Sequence, residues 1–316
     1  MSKIFFVIPC YNEEAVLAET VKQLTDKIGS MVSEGKISKE SKILFVDDGS
    51  KDKTWKMIEK YNEENPYVSG LKLAHNAGHQ NALLAGLMKA KDLCDAAISL
   101  DADLQDDIDS LDQFIDKFHE GCQVVYGVRD SRETDTAFKR GTAQGYYKIL
   151  SFLGVDIVYN HADYRLMGKP ALEALAEFKE VNLFLRGIVP LIGFKSDYVY
   201  YSRNERFAGE SKYPVKKMMK LAFDGITSFS VKPLKTISHV GIIISLLSIV
   251  GLVYVLISYL MSDTVHGWTA IMGSIWLLGG LQLLCIGVVG GYIGKIYSEV
   301  KARPRYIIES FVNKEG

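Results

Sequence analysis

Short apolar runs recur along the first 130 residues, each closed by a polar cluster and followed by a stretch with helical spacing. Lys3–Pro9, Ser41–Val46, Val68–Leu73, Ala96–Leu100 and Gln123–Gly127 read as buried strands, because short, mostly apolar segments of this length suit strands covered on both faces. Val16, Leu17, Val21, Leu24 and Ile28 share one helical face and predict a helix over Glu13–Ile28. Further helices are predicted through Trp55–Tyr61, with Ser50 or Asp52 as N-cap, over Ala82–Lys91 and over Ile108–His119. Strand and helix therefore alternate, which predicts an α/β fold with a doubly wound, mainly parallel sheet.

The polar clusters fall directly after the strands: Pro9–Glu13, Asp47–Ser50, Asn76–Gln80, Asp101–Asp106 and Gly127–Arg129. Right-handed crossovers gather such loops on one rim, where open α/β sheets bind ligands. The acidic cluster organises the others. Asp101 and Asp103 are two apart, so in an extended segment both carboxylates point the same way, and their repulsion is relieved by a hard divalent cation such as Mg²⁺ or Mn²⁺. Gln105 adds an oxygen donor. Taken alone, an Asp-x-Asp after a strand reads equally as a solvated acidic turn. No G-x-G-x-x-G follows the first strand and no G-x-x-x-x-G-K-[ST] occurs, which counts against dinucleotide and P-loop sites.

The pattern changes near residue 235. Ile237–Met261 and Thr264–Gly294 carry no Asp, Glu, Lys or Arg, and each is long enough to cross a bilayer core, which needs about 20 residues. Buried core helices are the alternative. Lys212, Lys216, Lys217, Lys220, Lys232 and Lys235 precede the first run, Lys295, Lys301, Arg303 and Arg305 follow the second, and the linker between carries no Lys or Arg. The positive-inside rule then puts both ends in the cytoplasm. Between Pro214 and Ser228, apolar Val215, Met218, Met219, Leu221, Phe223 and Ile226 interleave with three lysines, as in an interfacial amphipathic helix or an ordinary core-facing one. The expected organisation is a cytosolic catalytic domain over 1–213, a juxtamembrane amphipathic segment over 214–235, a transmembrane hairpin over 236–294 (spans at about 237–261 and 268–292) and a cytosolic tail over 295–316. The protein is expected in the cell membrane, multi-pass, touching membrane lipids.

Net charge is −1 over 316 residues, so no global field favours nucleic acid. Cys10, Cys94, Cys122 and Cys285 lie far apart, as reduced structural thiols do. The apolar run at Ile4–Ile8 is too short for a signal peptide. Gly287-x-x-x-Gly291 and Gly290-x-x-x-Gly294 permit close helix packing, within the hairpin or in a homo-oligomer.

Pro9-Cys-Tyr-Asn-Glu13, Val46-Asp-Asp-Gly-Ser50, Asn76-Ala-Gly-His-Gln80 and Asp101-Ala-Asp-Leu-Gln-Asp106 resemble the motifs of family 2 glycosyltransferases with a GT-A fold. Ala162-Asp-Tyr-Arg-Leu166, Phe184-Leu-Arg-Gly187, Glu205–Tyr213 and Phe229–Leu234 resemble, more narrowly, the bacterial polyprenyl-phosphate glycosyltransferases, the bactoprenol glucosyltransferase group related to dolichol-phosphate mannose synthase. The resemblance covers nearly the whole chain. Asp107-Ile108, where that group usually carries prolines, and Tyr164, where Phe is common, depart from it.

The resemblance implies a metal-dependent, inverting hexosyltransferase that takes a sugar from a nucleotide diphosphate sugar, with uridine diphosphate as carrier, and joins it to undecaprenyl phosphate for cell-envelope glycosylation. It implies Pro9, Tyr11 and Glu13 near the nucleoside and Asp47 facing the base. Asn76 and His79 are site residues or turn residues. Asp101, Asp103 and Gln105 form the expected metal set. Arg129, on the next rim loop, suits a phosphate fork, and Arg140 is a secondary phosphate candidate or part of a solvated helix face. Asp163 matches the family's proposed base, or forms an ion pair with Arg165. A phosphate monoester is largely ionised near neutral pH, with its second pKa at ~6, so the acceptor needs positioning more than deprotonation. Two anionic groups must meet, and Arg186, Arg206 and Lys212 are the candidate cations, with a loop ion pair as the alternative for Arg206. Rival readings are a non-lipid acceptor and an inactive membrane adaptor. A processive synthase is disfavoured by two spans and by the absence of Gln-x-x-Arg-Trp after the acidic motif.

Overall fold

Residues 1–129, 161–181, 183–202, part of 234–250 and 267–314 are described in this computed structural model. Strands β1 (Ile4–Cys10), β2 (Lys42–Asp47), β3 (Val68–Leu73) and β4 (Ala96–Ser99) are the parallel heart of an eight-stranded sheet. All but Lys72 of these residues are buried, which is why the strands are rich in apolar residues, with Ser69 and Gly70 the small breaks in β3. Helices α1 (Leu17–Ser33), α2 (Thr54–Glu64), α3 (His79–Lys91) and α4 (Leu111–His119) lie between them in sequence, with a 3₁₀ turn at Ile108–Ser110 before α4. Ile4, Phe6 and Ile8 point to the face where Leu17, Leu24, Ile28 and Phe114 pack. Val7 points to the other face, where α3 lies.

The closeness of that second face is set by Gly86. A Cβ there would fall 2.4 Å from Val7 Cγ1 and 2.6 Å from Val46 Cγ2. Gly86→Ala is therefore expected to lower stability by about 1–2 kcal/mol, because overpacking outweighs the ~1 kcal/mol gain in helix propensity. A thermal melt followed by circular dichroism checks this; a raised melting temperature contradicts it.

The sheet is mixed, with four parallel and three antiparallel strand pairs. Its order is β7-β5-β6-β4-β1-β2-β3-β8, where β5 is Val124–Arg129, β6 is His161–Gly168, β7 is Ser196–Tyr201 and β8 is Ile308–Asn313. β6 runs antiparallel between β4 and β5, and β8 runs antiparallel along β3. Helix α5 (Lys169–Ala176) follows β6, and α6 (Leu185–Leu191) precedes β7. Strand β8 lies in the segment expected as a tail. Lys72–Glu309 at 2.8 Å, Lys42–Asn313 at 2.7 Å and the Ala74 N–H donated to the Ile307 carbonyl fasten it.

Residues 302–314 thus belong to the compact unit that contains the sheet, and 267–301 to a second unit with the described positions of 234–250. Those described positions between 234 and 250 that lie in an element are helical. Helix α7 (Trp268–Lys301) runs beyond the expected end of the second span, and its Leu278–Lys301 part is long and apolar enough to cross a membrane. The amphipathic segment, the linker and much of the first span lie outside the described residues. The four cysteines are free thiols.

Candidate active site

The register of β4 against β6 brings the charged residues together. Ser99 pairs with Arg165, so Asp163, two residues back along the antiparallel β6, comes level with Asp101, two beyond Ser99. The Ser99 hydroxyl donates to the Asp163 carbonyl and lies 3.2 Å from that of Arg165. Arg186 forks onto the Asp163 carboxylate, Nε to Oδ1 at 3.2 Å and Nη2 to Oδ2 at 3.0 Å. Its helix α6 is tied to α3, because the Leu185 N–H donates to Gln80 Oε1 at 3.1 Å. Arg165 Nη2 lies 3.6 Å from Asp163 Oδ1, with its guanidinium over the Tyr126 ring. His79 Nε2 completes the group, 3.7 Å from Asp101 Oδ1 and 3.9 Å from Asp163 Oδ2.

Burial pushes the Asp163 carboxyl up, but the Arg186 guanidinium, with Arg165 and His79 behind it, more than reverses this and holds it well below the usual carboxylate range. Asp101 is raised, chiefly by burial and then by the Asp163 and Asp103 carboxylates, against the pull of His79. Burial likewise pushes Asp106 up to about 7, with Asp101 adding to it.

The acidic loop is a turn rather than an extended segment, so strand alternation does not align Asp101 with Asp103. Leu104 sits at φ 55°, in the left-handed region. Gln105 N–H donates to Asp103 Oδ1 at 3.2 Å, and Thr20 Oγ1 donates to the Ala102 carbonyl at 2.9 Å. Among the described residues no three His, Cys, Asp or Glu side chains are grouped to hold a metal ion. Two carboxylates and an amide are hard oxygen donors of the kind Mg²⁺ and Mn²⁺ take, and such ions are commonly completed by substrate phosphates.

A second cluster occupies the rim over β1–β3. Pro9 and Asp47 are buried at strand ends. Asp47 Oδ1 accepts the Ser50 N–H at 3.3 Å, while its buried Oδ2 has no hydrogen-bond partner among the described residues, and burial raises its pKa. The first two loops interlock: Asn12 N–H donates to Ser50 Oγ, Lys51 N–H to Asn12 Oδ1 and Glu13 N–H to Thr54 Oγ1, all at 2.8–2.9 Å. Ser50 is thus a loop tie, and Asp52 takes the Thr54 N–H at 3.0 Å. Tyr11 is exposed beside them. Asp48 accepts the N–H groups of Ala77 and Gly78 just before α3, which starts at His79 rather than Ala82. Gly49, at φ 68°, leaves room for the exposed Asn76 loop; a Cβ there would meet Asn76 N at 2.7 Å.

Arg129 ends β5 opposite Tyr201 of β7, and the Tyr201 and Asp106 groups act electrostatically on its guanidinium. Arg140, Arg206 and Lys212 lie outside the described residues. The sequence assigns no supporting role to Asp48, Gln80 or Tyr201, places Asp106 only among the oxygen groups of the acidic stretch, and offers Arg165 only as an alternative partner for Asp163. Asp106 lay in the acidic stretch itself, and Tyr201 closes a strand in which Val199 and Tyr201 are buried and Tyr198 and Tyr200 exposed.

The acidic loop and its opposing arginines thus share one rim of an α/β sheet. The chain belongs to Glycosyl transferase family 2, which matches residues 5–176. It is 56% identical over 303 residues to the glycosyltransferase YkoT of Bacillus subtilis (strain 168), covering 96% of this chain and 90% of that one. It is 38% identical over 309 residues to the prophage bactoprenol glucosyl transferase homolog of Escherichia coli (strain K12), covering 97% and 98%. The bactoprenol glucosyl transferase of Shigella phage SfX is 37% identical over 310 residues, covering 98% and 99%. Among solved structures, glucosyl-3-phosphoglycerate synthase from Mycobacterium tuberculosis aligns over 72% of this chain and 76% of its own, with 17% identity and a TM-score of 0.46.

Proposed function

We propose that this glycosyltransferase moves one hexose from a nucleoside diphosphate sugar to undecaprenyl phosphate, giving a lipid-linked monosaccharide for cell-envelope glycosylation. The observation that carries the reading is the full-length likeness, at 37–38% identity, to proteins named for bactoprenol glucosyl transfer. A phosphate oxygen of the acceptor attacks the anomeric carbon, the bond to the donor diphosphate breaks, and the configuration inverts. UDP-glucose or a UDP-N-acetylhexosamine is the preferred donor.

The site chemistry suits that reaction. Asp101, Asp103 and Gln105 would hold Mg²⁺ or Mn²⁺ together with the donor diphosphate. When bound, the ion offsets charge building on the leaving group. The unpartnered Asp47 Oδ2 suits a base N–H, with Pro9, Tyr11 and Glu13 around the nucleoside. Asn76 and His79 line the edge of the donor site. Arg186 meets the acceptor phosphate, with Arg206 and Lys212 on the approach to it, and Arg140 serves the donor phosphates. Asp163, held ionised by two guanidiniums, is a weak base, so its role is to orient Arg186 rather than to take a proton. Arg129 braces the acidic loop.

A polyprenyl tail stays in the bilayer, so the catalytic domain is held at the membrane. Apolar α7, with Leu283 and Ile286 exposed, supports one span, and the uncharged run Ile237–Met261 supports a second. The flanking lysines and arginines favour a cytoplasmic catalytic domain and C-terminus, and the lysines of 214–235 suit an anionic leaflet. Membranes containing the full chain, supplied with undecaprenyl phosphate and a panel of labelled nucleotide sugars, should move label from one UDP-sugar into an organic-extractable, mild-acid-labile product. Label recovered only in protein or water-soluble glycan overturns the reading.

A further inference from the structure

Beneath the acidic loop lies a brace that the reaction itself does not use. Asp106 and Tyr201 are buried, at 3% and 2% exposure, and the Tyr201 hydroxyl donates to Asp106 Oδ1 at 2.7 Å. The other Asp106 oxygen faces the Asp101 N–H at 3.4 Å. Tyr201 comes from β7, where it pairs with Arg129 of β5. Its ring stands edge-on to Tyr164 of β6 at 5.2 Å, and the Tyr164 hydroxyl donates to the Asp107 carbonyl at 3.0 Å. Two phenols thus hold the two residues that end the loop. Gly127 makes the crossing of β5 feasible, since a Cβ there would fall 2.8 Å from the Tyr164 carbonyl oxygen and 3.1 Å from Tyr201 Cε1.

The loop needs such a brace. Leu104 is held at φ 55°, a conformation that costs a non-glycine residue energy and persists only where its surroundings over-determine it. We propose that Tyr201 and Asp106 are positioning residues, which act through the Asp101 backbone to fix the Asp101–Gln105 oxygens in the arrangement that binds a divalent cation with a nucleoside diphosphate. This rests on the reading that those oxygens bind the cation. The strand that sets the metal loop is then β7, nearly a hundred residues downstream of the loop it serves.

The test is Mn²⁺ binding by the purified full-length protein with UDP present, read by electron paramagnetic resonance and accompanied by a thermal melt. Tyr201→Phe keeps the ring packing and removes the hydroxyl. It should weaken Mn²⁺ binding about tenfold, the effect of losing one hydrogen bond to a carboxylate, with a small change in melting temperature. Asp106→Asn keeps an acceptor for Tyr201 and should be milder than Asp106→Ala. Tyr198→Phe, on the exposed face of the same strand, should bind as the unsubstituted protein does. If the unsubstituted protein binds Mn²⁺ and Tyr201→Phe binds it equally well, the brace is overturned while the metal reading stands. If the unsubstituted protein binds no Mn²⁺ with UDP, the metal reading fails and the brace fails with it.

Discussion

Asp103→Ala should lower sugar transfer by about 10³-fold while leaving the protein folded and membrane-bound. The magnitude is that of removing one preorganised group that stabilises charge developing on a leaving group. Asp103 is buried within the turn after β4, and its carboxylate accepts the Gln105 N–H, so the substitution removes a hard oxygen donor without opening the sheet. Initial rates over a range of Mn²⁺ concentrations, with circular dichroism of the same preparation, check this. Turnover within tenfold of the unsubstituted protein contradicts a metal role for Asp103.

Asp163→Ala should abolish transfer and also destabilise the fold, by about 3 kcal/mol. Arg165 is 2% exposed, and Asp163 is the carboxylate beside it; removing one partner strands a buried charge. Arg186→Ala should cost much less stability, because the Arg186 side chain is 34% exposed and Asp163 keeps Arg165. The pH dependence follows from the depressed Asp163 pKa. Its contribution is fully present above the unfolded carboxylate value of ~3.9 and is lost as pH falls through the lower folded value. The stability gap between the parent and Asp163→Asn in denaturant unfolding should therefore begin to narrow below about pH 4 and go on narrowing as pH falls. A constant gap between pH 7 and pH 3 contradicts the ion-pair account.

The parts of this fold legible in the sequence were those written locally. β1 to β4 are buried on both faces, so β1, β2 and β4 carry contiguous apolar stretches while β3 is broken by Ser69, Gly70 and Lys72, and parallel crossovers put their closing loops on one rim. β6 was legible only as a motif. Asp163 and Arg165 face the site while Tyr164 and Leu166 face the core, and no local pattern says that this strand enters antiparallel beside β4. β8 was hidden for a different reason: its partner β3 lies some 240 residues earlier, across both uncharged runs. Asp101 and Asp103 were legible as a pair of oxygen donors, but their geometry was not. The left-handed Leu104 turns the segment, and a Leu in sequence gives no sign of positive φ. The Tyr201–Asp106 contact likewise depends on the β5–β7 register, which spacing along the chain does not reveal.

The most direct test of the account is the mass of the lipid product made by the purified full-length protein from undecaprenyl phosphate and its preferred nucleotide sugar. The expected product has the acceptor mass plus one hexose or N-acetylhexosamine residue, with nucleoside diphosphate released in equal amount. A product heavier by a sugar phosphate, with nucleoside monophosphate released, or an unaltered lipid, would contradict it.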